Sequence, residues 1–298
     1  SKRMLYAAID IGSNAVRLLI AAAHNEDGQV RLNKQNFIRV PIRLGKDVYN
    51  DGVVTTAREE NLIKTLKAFK WLMDVYQPYD SSVCATAAVR EASNGREILA
   101  RIEKETGLDV RVIDGLEEAR IIRNTNALPD YDDYELTMFV DVGGGSTEIS
   151  VKSADKLLEQ HSFKIGTLRI LSGKVQEEAW QELRVWLLKF EEAFGKINLL
   201  GSGGNINKLT KLFGRPKEHV LIYNNLKYAQ DELEQMSVEE RMQVFNLRYD
   251  RADVIVPAAK IFLFIMDAIH ADKILAPKIG VADGLIYELY QKYQQQKV

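Results

Sequence analysis

Cysteine is almost missing from this chain: Cys84 stands alone among 298 residues and has no partner for an internal disulfide. Histidine is scarce as well, and four scattered His with one Cys furnish neither a zinc finger nor a His-rich transition-metal cage. Positive charge is not in excess. With 40 Lys and Arg against 42 Asp and Glu the net charge is −2. A protein that wraps duplex nucleic acid displaces counterions with a cationic surplus, and none exists overall here, although a local basic patch stays open. Long apolar runs are lacking too. The most apolar window, Val254 to Ile269, is broken by Pro257, Lys260 and Asp267. It falls short of the roughly 20 residues that span a bilayer, so it reads as a buried core helix. At the start, SKRMLYAAIDIGSN runs its short apolar stretch into Asp10 and Gly12 and not into a signal-peptidase site. These absences set the expectation of a reduced, cytoplasmic setting with neither a membrane nor a nucleic-acid duplex as partner.

What is present describes a globular protein, 46% hydrophobic and 28% charged. At roughly 100 to 200 residues per domain the length suggests two domains, each with room for a core. One internal repeat supports this. MLYAAIDIGSNAVRLLIAAA places an apolar run on either side of D-I-G-S-N, and TMFVDVGGGSTEISVKS does the same around D-V-G-G-G-S, about half the chain later. A linker is expected from Asn126 to Glu135, where NALPDYDDYE gathers Pro, Asp and Asn, giving domains at 1–126 and 127–298. The C-terminal helix, 283–298, is assigned to pack on the first.

The residues after each Gly-rich turn decide its type. Ala15 to Ala21 and Thr147 to Val151 are short and rich in β-branched residues or Leu, so each turn sits at a β-hairpin tip and does not lead into a helix as a Rossmann or Walker turn does. Neither G-x-G-x-x-G in a βα setting nor G-x-x-x-x-G-K-[ST] occurs. Elsewhere helices and strands alternate. Thr56 to Glu59 reads as a capping box ahead of a helix whose apolar face is Leu62, Leu66, Phe69, Met73 and Tyr76. SSVCATAAVREASNG is a strand and a turn presenting Thr86, Arg90 and Glu91; REILARIEKETG is a helix ending at Gly107; and VRVIDGLEEARIIRNT is a strand, a turn and a helix starting near Leu116. Ala179 to Phe194 is a helix, INLLGSGGNINKLTKLFG is strand, Gly loop and helix, and Ser237 to Glu240 is a second capping box. The class is α/β, with helices packed on sheets.

Three Gly-rich loops stand out: Asp10 to Asn14, Asp141 to Thr147, and Gly201 to Asn205. Glycine lets consecutive backbone N–H groups converge on phosphate oxygens, with Ser and Asn adding donors. Turn chemistry alone explains any one of them. Three together, two opened by Asp at a strand end, favour a polyphosphate ligand. Asp10, Asp141 and Glu148 then place carboxylates beside phosphate, and a bridging Mg²⁺ resolves the repulsion; the other reading is that these acids fix the turns. Arg90 and Arg17 could hold the transferred group with planar donors, or sit in surface salt bridges. Glu117 and Glu118 open a helix, where acids complement its dipole; the functional reading makes one of them a general base for in-line attack of water on phosphorus. Composition does not choose between them.

The motifs A-I-D-I-G-S-N-A-V-R-L, T-A-A-V-R-E-A-x-N, D-G-x-E-E-A-R, D-V-G-G-G-S-T-E, G-S-G-G-N and R-A-D-V-I-V-P, in this order from Asp10 to Pro257, resemble the exopolyphosphatase and guanosine pentaphosphate phosphatase family. The resemblance implies two ribonuclease-H-like domains of the actin, Hsp70 and sugar-kinase superfold, flanking a phosphate-binding cleft. It places the catalytic base on Glu118, the phosphate-holding Arg on Arg90, and the metal-associated acids on Asp141 and Glu148. It places phosphate contacts on Gly12, Ser13 and Asn14, on Gly143, Gly144, Gly145, Ser146 and Thr147, and on Gly203, Gly204 and Asn205. Asp10, Arg17 and Thr86 join them, with Asp141 counted among the catalytic groups. The implied reaction is Mg²⁺-dependent hydrolysis of the terminal phosphate of polyphosphate or guanosine pentaphosphate, without a covalent intermediate, and a homodimer is implied with it.

Three departures from the family pattern qualify this. Asp114 replaces the common Ser of the I-S-G-x-E-E turn and adds negative charge near Glu118. VADGLIYELY stands where many members read S-D-x-G-L-R-E-G, so Arg and Glu are missing there. The sequence ends at 298, whereas longer members continue into an all-helical, HD-like region, which turns the expectation towards short polyphosphate chains or a nucleotide. Two other functions compete with hydrolysis: a polyphosphate- or alarmone-binding regulator with little catalysis, and a small ATP-dependent kinase of the same superfold.

Overall fold

The computed structural model describes residues 4–125, 133–154 and 156–297, so the expected linker and domain boundary fall largely outside the described residues, at 126–132. The chain divides into two compact units, residues 1–128 with 279–298, and residues 129–278.

The first unit starts with a meander of three strands, β1 (Leu5–Ile11), β2 (Val16–Glu26) and β3 (Gln29–Val40), to which β4 (Asp80–Ala85) and β5 (Val110–Val112) add in parallel, giving the order β3-β2-β1-β4-β5. β1 lies inside the sheet with helices over it, which is why LYAAIDI is nearly continuously apolar. The helices are α1 (Leu44–Asp51), α2 (Thr56–Tyr76), α3 (Ala87–Glu91), α4 (Gly95–Thr106) and α5 (Gly115–Arg123). On α2, Leu62, Leu66, Phe69 and Met73 are buried together with Ile63, and the half-buried Tyr76 accepts from Asn36 Nδ2 at 3.3 Å. The cap of α2 differs from the expected box at Thr56. Thr55 is the N-cap and accepts from the Arg58 amide, because its own amide and hydroxyl are anchored on Asp47 Oδ2 at 2.9 and 2.7 Å. Arg90 likewise sits on the short helix α3 and not in a turn.

The second unit repeats the plan. β6 (Leu136–Val142), β7 (Thr147–Ser153) and β8 (Lys156–Phe163) form the meander; β9 (Ile197–Ser202) joins β6 in parallel, and β10 (Val220–Ile222) closes the far edge against β11 (Lys273–Leu275), in the order β10-β11-β9-β6-β7-β8. Its helices are α6 (Thr167–Leu171), α7 (Glu177–Phe194), α8 (Gly204–Phe213), α9 (Tyr223–Gln235), α10 (Val238–Phe245), α11 (Tyr249–Ala252) and α12 (Ile255–Ile269). Both Gly-rich turns with a leading Asp are hairpin tips, as the residues after them implied. The helix expected at Val254 to Ile269 is α12, with Ile261, Phe262, Ile265 and Met266 fully buried, each such side chain stabilising by roughly 1.5–3 kcal/mol. Pro257 falls in its first turn, where the missing N–H has no intrahelical partner to lose. Among the described residues no helix is long and apolar enough to cross a membrane.

The last helix, α13 (Val281–Gln296), returns to the first unit and packs on β1, β2, β4 and α5. A Cβ at Gly284 would stand 2.5 Å from the Ile121 carbonyl oxygen, so this residue sets how closely α13 approaches the helix that carries Glu118.

Candidate functional site

Both hairpin tips are closed by the same bond. The Gly12 amide donates to Ala15 O at 3.0 Å, and the Gly143 amide to Ser146 O at 2.9 Å. Each tip is then clasped by the chain that follows its third strand. After β3, the Arg43 and Gly45 amides donate to Asn14 O at 3.0 Å and Ser13 O at 2.8 Å, Arg43 Nε donates to Asn14 Oδ1 at 2.9 Å, and Tyr49 OH meets Ser13 Oγ at 3.0 Å. After β8, Thr167 donates to Gly143 O at 3.1 Å, Leu168 and Arg169 donate to Gly144 O, and Arg169 Nε reaches Gly145 O at 2.7 Å. The Thr147 hydroxyl is turned inward onto Ile165 O at 2.7 Å. A peptide is planar, with its C=O and the next N–H pointing opposite ways. Clasping the carbonyls of residues 13, 14 and 143–145 therefore turns the amides of Asn14, Ala15, Gly144, Gly145 and Ser146 outward, the arrangement that receives an anion.

Behind the tips, the two hairpins carry different cross-strand pairs. In the first, Asp10 faces Arg17, with Nη1 3.2 Å from Oδ2. Burial pushes the Asp10 carboxyl above its ordinary range, and Arg17 pulls the other way. The Cys84 thiol lies 4.0 Å from Asp10 Oδ1; burial, then Asp10 and Glu118, push it well up, which keeps it from acting as a thiolate. In the second hairpin the corresponding pair is Asp141 facing Glu148, with carboxylate oxygens within 4.8 Å of each other and exposures of 7% and 2%. Ser202 Oγ donates to Asp141 Oδ1 at 2.9 Å, while Ser146 and Ser162 donate to Glu148 Oε1 and Oε2 at 3.1 and 2.8 Å. Two like charges at that separation repel by roughly 3 to 4 kcal/mol at an effective dielectric of about 20. The donor set is all oxygen and doubly negative, which suits Mg²⁺, an ion that takes one or two carboxylates and completes its shell with water and phosphate oxygens.

The remaining residues of the first unit gather at the carboxyl ends of β1, β4 and β5. Thr86 follows β4 as the N-cap residue of α3, and its amide donates to Ile11 O at 3.2 Å. Arg90 follows on α3 and donates through Nη1 to Ile113 O at 2.6 Å, tying it to the turn that opens α5. Asp114 caps α5, accepting from the Glu117 amide at 2.8 Å, so this departure from the family's Ser keeps an N-cap. The two adjacent acids separate here. Glu117 is paired with Arg120 at 2.8 Å, and Arg120 also reaches Glu288 on α13, while Glu118 occupies another face of the first turn, half-buried.

The third loop leads from β9 into α8. Gly203 holds φ +115°, a conformation that favours glycine, and Arg251 Nη1 donates to Asn205 Oδ1 at 2.6 Å. Beside it burial, then Lys211, Arg251 and Arg248, hold the Lys208 ammonium below its ordinary range. Sequence reasoning missed Arg43, Tyr49, Gly166, Arg169 and Arg251. Of these only Arg251 had a signal, as the first residue of R-A-D-V-I-V-P.

The pattern of the Ppx/GppA phosphatase family matches residues 35–293. The chain is similar to a bifunctional 3-dehydroquinate synthase/phosphatase of Fusobacterium nucleatum, 26% identical over 95% of this chain and 46% of that protein. It is 23% identical to exopolyphosphatase 1 of Mycobacterium tuberculosis, over 95% of this chain and 87% of that protein. It is also 23% identical to the guanosine-5'-triphosphate,3'-diphosphate pyrophosphatase of Aliivibrio fischeri, over 99% of this chain and 61% of that protein. The chain thus spans less than half the length of the first of these relatives and about three fifths of the length of the third. Among solved structures, a Ppx/GppA family member of Aquifex aeolicus superposes with a TM-score of 0.75 at 30% identity, covering 98% of this chain and 99% of that one. An exopolyphosphatase of Cytophaga hutchinsonii superposes with a TM-score of 0.82 at 22% identity, covering 97% and 98%.

Proposed function

The chain belongs to the Ppx/GppA phosphatase family, and on that premise we propose that it is a Mg²⁺-dependent phosphohydrolase releasing the terminal phosphate of inorganic polyphosphate or guanosine pentaphosphate. Its two sheets have the family's architecture, that of the actin-like ATPase superfold. In this reading the two units are two ribonuclease-H-like domains, and the helix expected at 283–298 goes with the first, so that the second ends at 278 and not at 298. One observation carries the reading most strongly. Where the first hairpin sets Asp10 against the cationic Arg17, the second sets two buried acids, Asp141 and Glu148, against each other, an arrangement that supports a cation there. Relatives named as an exopolyphosphatase and as a guanosine-5'-triphosphate,3'-diphosphate pyrophosphatase support the two substrate classes.

The proposed roles follow from the geometry of each group. Asp141 and Glu148 would hold Mg²⁺, which when bound neutralises charge on phosphate oxygens. Within each unit the outward amides would receive phosphate oxygens: those at Asn14 and Ala15 beside Ser13 in the first, and those at Gly144, Gly145 and Ser146 in the second, where Gly203, Gly204 and Asn205 extend the same backbone chemistry; Gly12 and Gly143 shape the tips through their bonds to Ala15 O and Ser146 O, and Thr147, its hydroxyl on Ile165 O, braces the second tip from inside. Arg90, fixed on Ile113 O, holds the terminal phosphoryl group, and Thr86 and Arg17 line the first tip. Glu118 takes a proton from water as its oxygen attacks the terminal phosphorus; the bridging P–O bond breaks on the far side, and the shortened chain leaves with the electron pair. The ion pair of Glu117 with Arg120 supports Glu118 over Glu117 in that role.

The test is a substrate panel with released phosphate as the readout, in Mg²⁺, with short polyphosphate and guanosine pentaphosphate. Release from at least one is expected. No release from either overturns the proposal; acceptor-dependent conversion of ATP to ADP would make the chain a kinase, and tight binding without turnover would make it a regulator.

A further inference from the structure

The pairing register of the two sheets lines up a row of four residues across each hairpin. In the first unit the row reads Cys84, Asp10, Arg17, Arg39, from β4 through β1 and β2 to β3. In the second the corresponding row reads Ser202, Asp141, Glu148, Ser162, from β9 through β6 and β7 to β8. The topological positions are the same and the chemistry differs. One carboxylate is set among two guanidiniums in the first row, whereas two carboxylates are set between two hydroxyls in the second.

From this row we infer that Ser162 and Ser202 are positioning residues for the metal site, each holding one oxygen of the neighbouring carboxylate so that the pair stays converged on a cation. The inference rests on the reading of Asp141 and Glu148 as the Mg²⁺ ligands. Two carboxylates within 4.8 Å turn away from one another unless something fixes their rotamers. Ser202 fixes Asp141 at 2.9 Å from a fully buried position, and Ser162 fixes Glu148 at 2.8 Å from the edge strand. A hydroxyl does this without adding a cation that would compete for the site, which the guanidiniums of the first row would do. Ser146 adds a second donor to Glu148 from the tip itself, at 3.1 Å, and so couples the carboxylate to the loop.

Because Ser162 is exposed and lies on an edge strand, its side chain can be removed without opening a core cavity. Mn²⁺ serves as the probe, its unbound fraction read by electron paramagnetic resonance on the full chain without substrate. Partners of this kind are typically worth 10–100-fold in metal affinity. Ser162→Ala is expected to weaken Mn²⁺ binding on the order of tenfold, Ser162→Thr to restore most of it because the hydroxyl returns, and Ser162→Ala/Ser202→Ala to weaken it further. The Mg²⁺ concentration for half-maximal phosphate release should rise with the same ranking. Wild-type Mn²⁺ affinity in Ser162→Ala, with Asp141→Asn abolishing binding, overturns the inference and leaves the metal site standing. If Ser162→Thr is no better than Ser162→Ala, the hydroxyl is not what matters and the inference falls. If the unmodified chain binds no Mn²⁺, or Asp141→Asn binds it unchanged, the metal reading fails and takes the inference with it.

Discussion

Gly166 offers the sharpest steric test of how the second Gly-rich loop is supported. Its φ of −144° is ordinary extended backbone, so conformational freedom is not the reason for glycine. The reason is contact: a Cβ there would lie 2.4 Å from Gly144 O and 2.5 Å from the carbonyl carbons of Gly144 and Gly145. Ordinary contacts are about 3.5 Å, so the overlap is about 1 Å, against backbone that has no rotamer to escape into. The loop cannot shift alone, because Thr167, Leu168 and Arg169 bind its carbonyls from the same short segment. Gly166→Ala should cost about 1–3 kcal/mol, the usual range for overpacking. For a unit of this size that lowers Tm by roughly 3–9 °C. The displaced amides should also weaken phosphate binding, and a 1 kcal/mol loss there raises KM about fivefold. Thermal unfolding, and the substrate KM with phosphate release as the readout, measure the two effects. A Gly166→Ala protein with unchanged Tm and KM would refute the idea that this backbone contact shapes the loop.

Two further outcomes follow from the ionisable groups. The Glu117–Arg120 pair is partly exposed, 37% and 42%, so Glu117→Gln should change stability by no more than about 1 kcal/mol and leave phosphate release within about twofold; a collapse of activity would assign the base to the wrong glutamate. Asp10 has its folded pKa raised, chiefly by burial, so the fold favours its protonated form. Its stabilising contribution is fully present below the unfolded value and is lost as pH rises through the raised folded value. In urea denaturation between pH 4 and 7, the stability of the wild type relative to Asp10→Asn should therefore fall as pH rises, and a difference that grows with pH would contradict the burial account.

The parts of this molecule legible in the sequence are those where one residue type must occupy one place. An Asp at a strand end followed by glycines gave away both hairpin tips, and the apolar spacing from Leu62 to Met73 gave away α2. The parts that stayed hidden depend on partners far along the chain. β3, as QVRLNKQNFIRV, is an edge strand with polar residues on much of its surface, so its pattern carries little periodicity. Nothing in Arg43 or Arg169 announces that they clasp the tips, because part of each clasp uses backbone amides common to every residue and the partner of each Nε lies far along the chain. The choice of Thr55 over Thr56 as cap is made by Asp47, eight residues earlier. Glu117 and Glu118 looked equivalent, yet the i,i+3 spacing from Glu117 to Arg120 was a readable sign of that one ion pair. Ser162 and Ser202 become informative only when the register places them beside Glu148 and Asp141.

Glu118 is proposed to activate water for attack on a terminal phosphate. This role is tested most directly by running the reaction in ¹⁸O-labelled water with the wild type and with Glu118→Gln, while measuring substrate binding separately. One solvent oxygen is expected in each phosphate released by the wild type, and a loss of turnover by about 10²–10⁴ in Glu118→Gln with binding retained. Full activity in Glu118→Gln, or released phosphate without solvent oxygen, would contradict it.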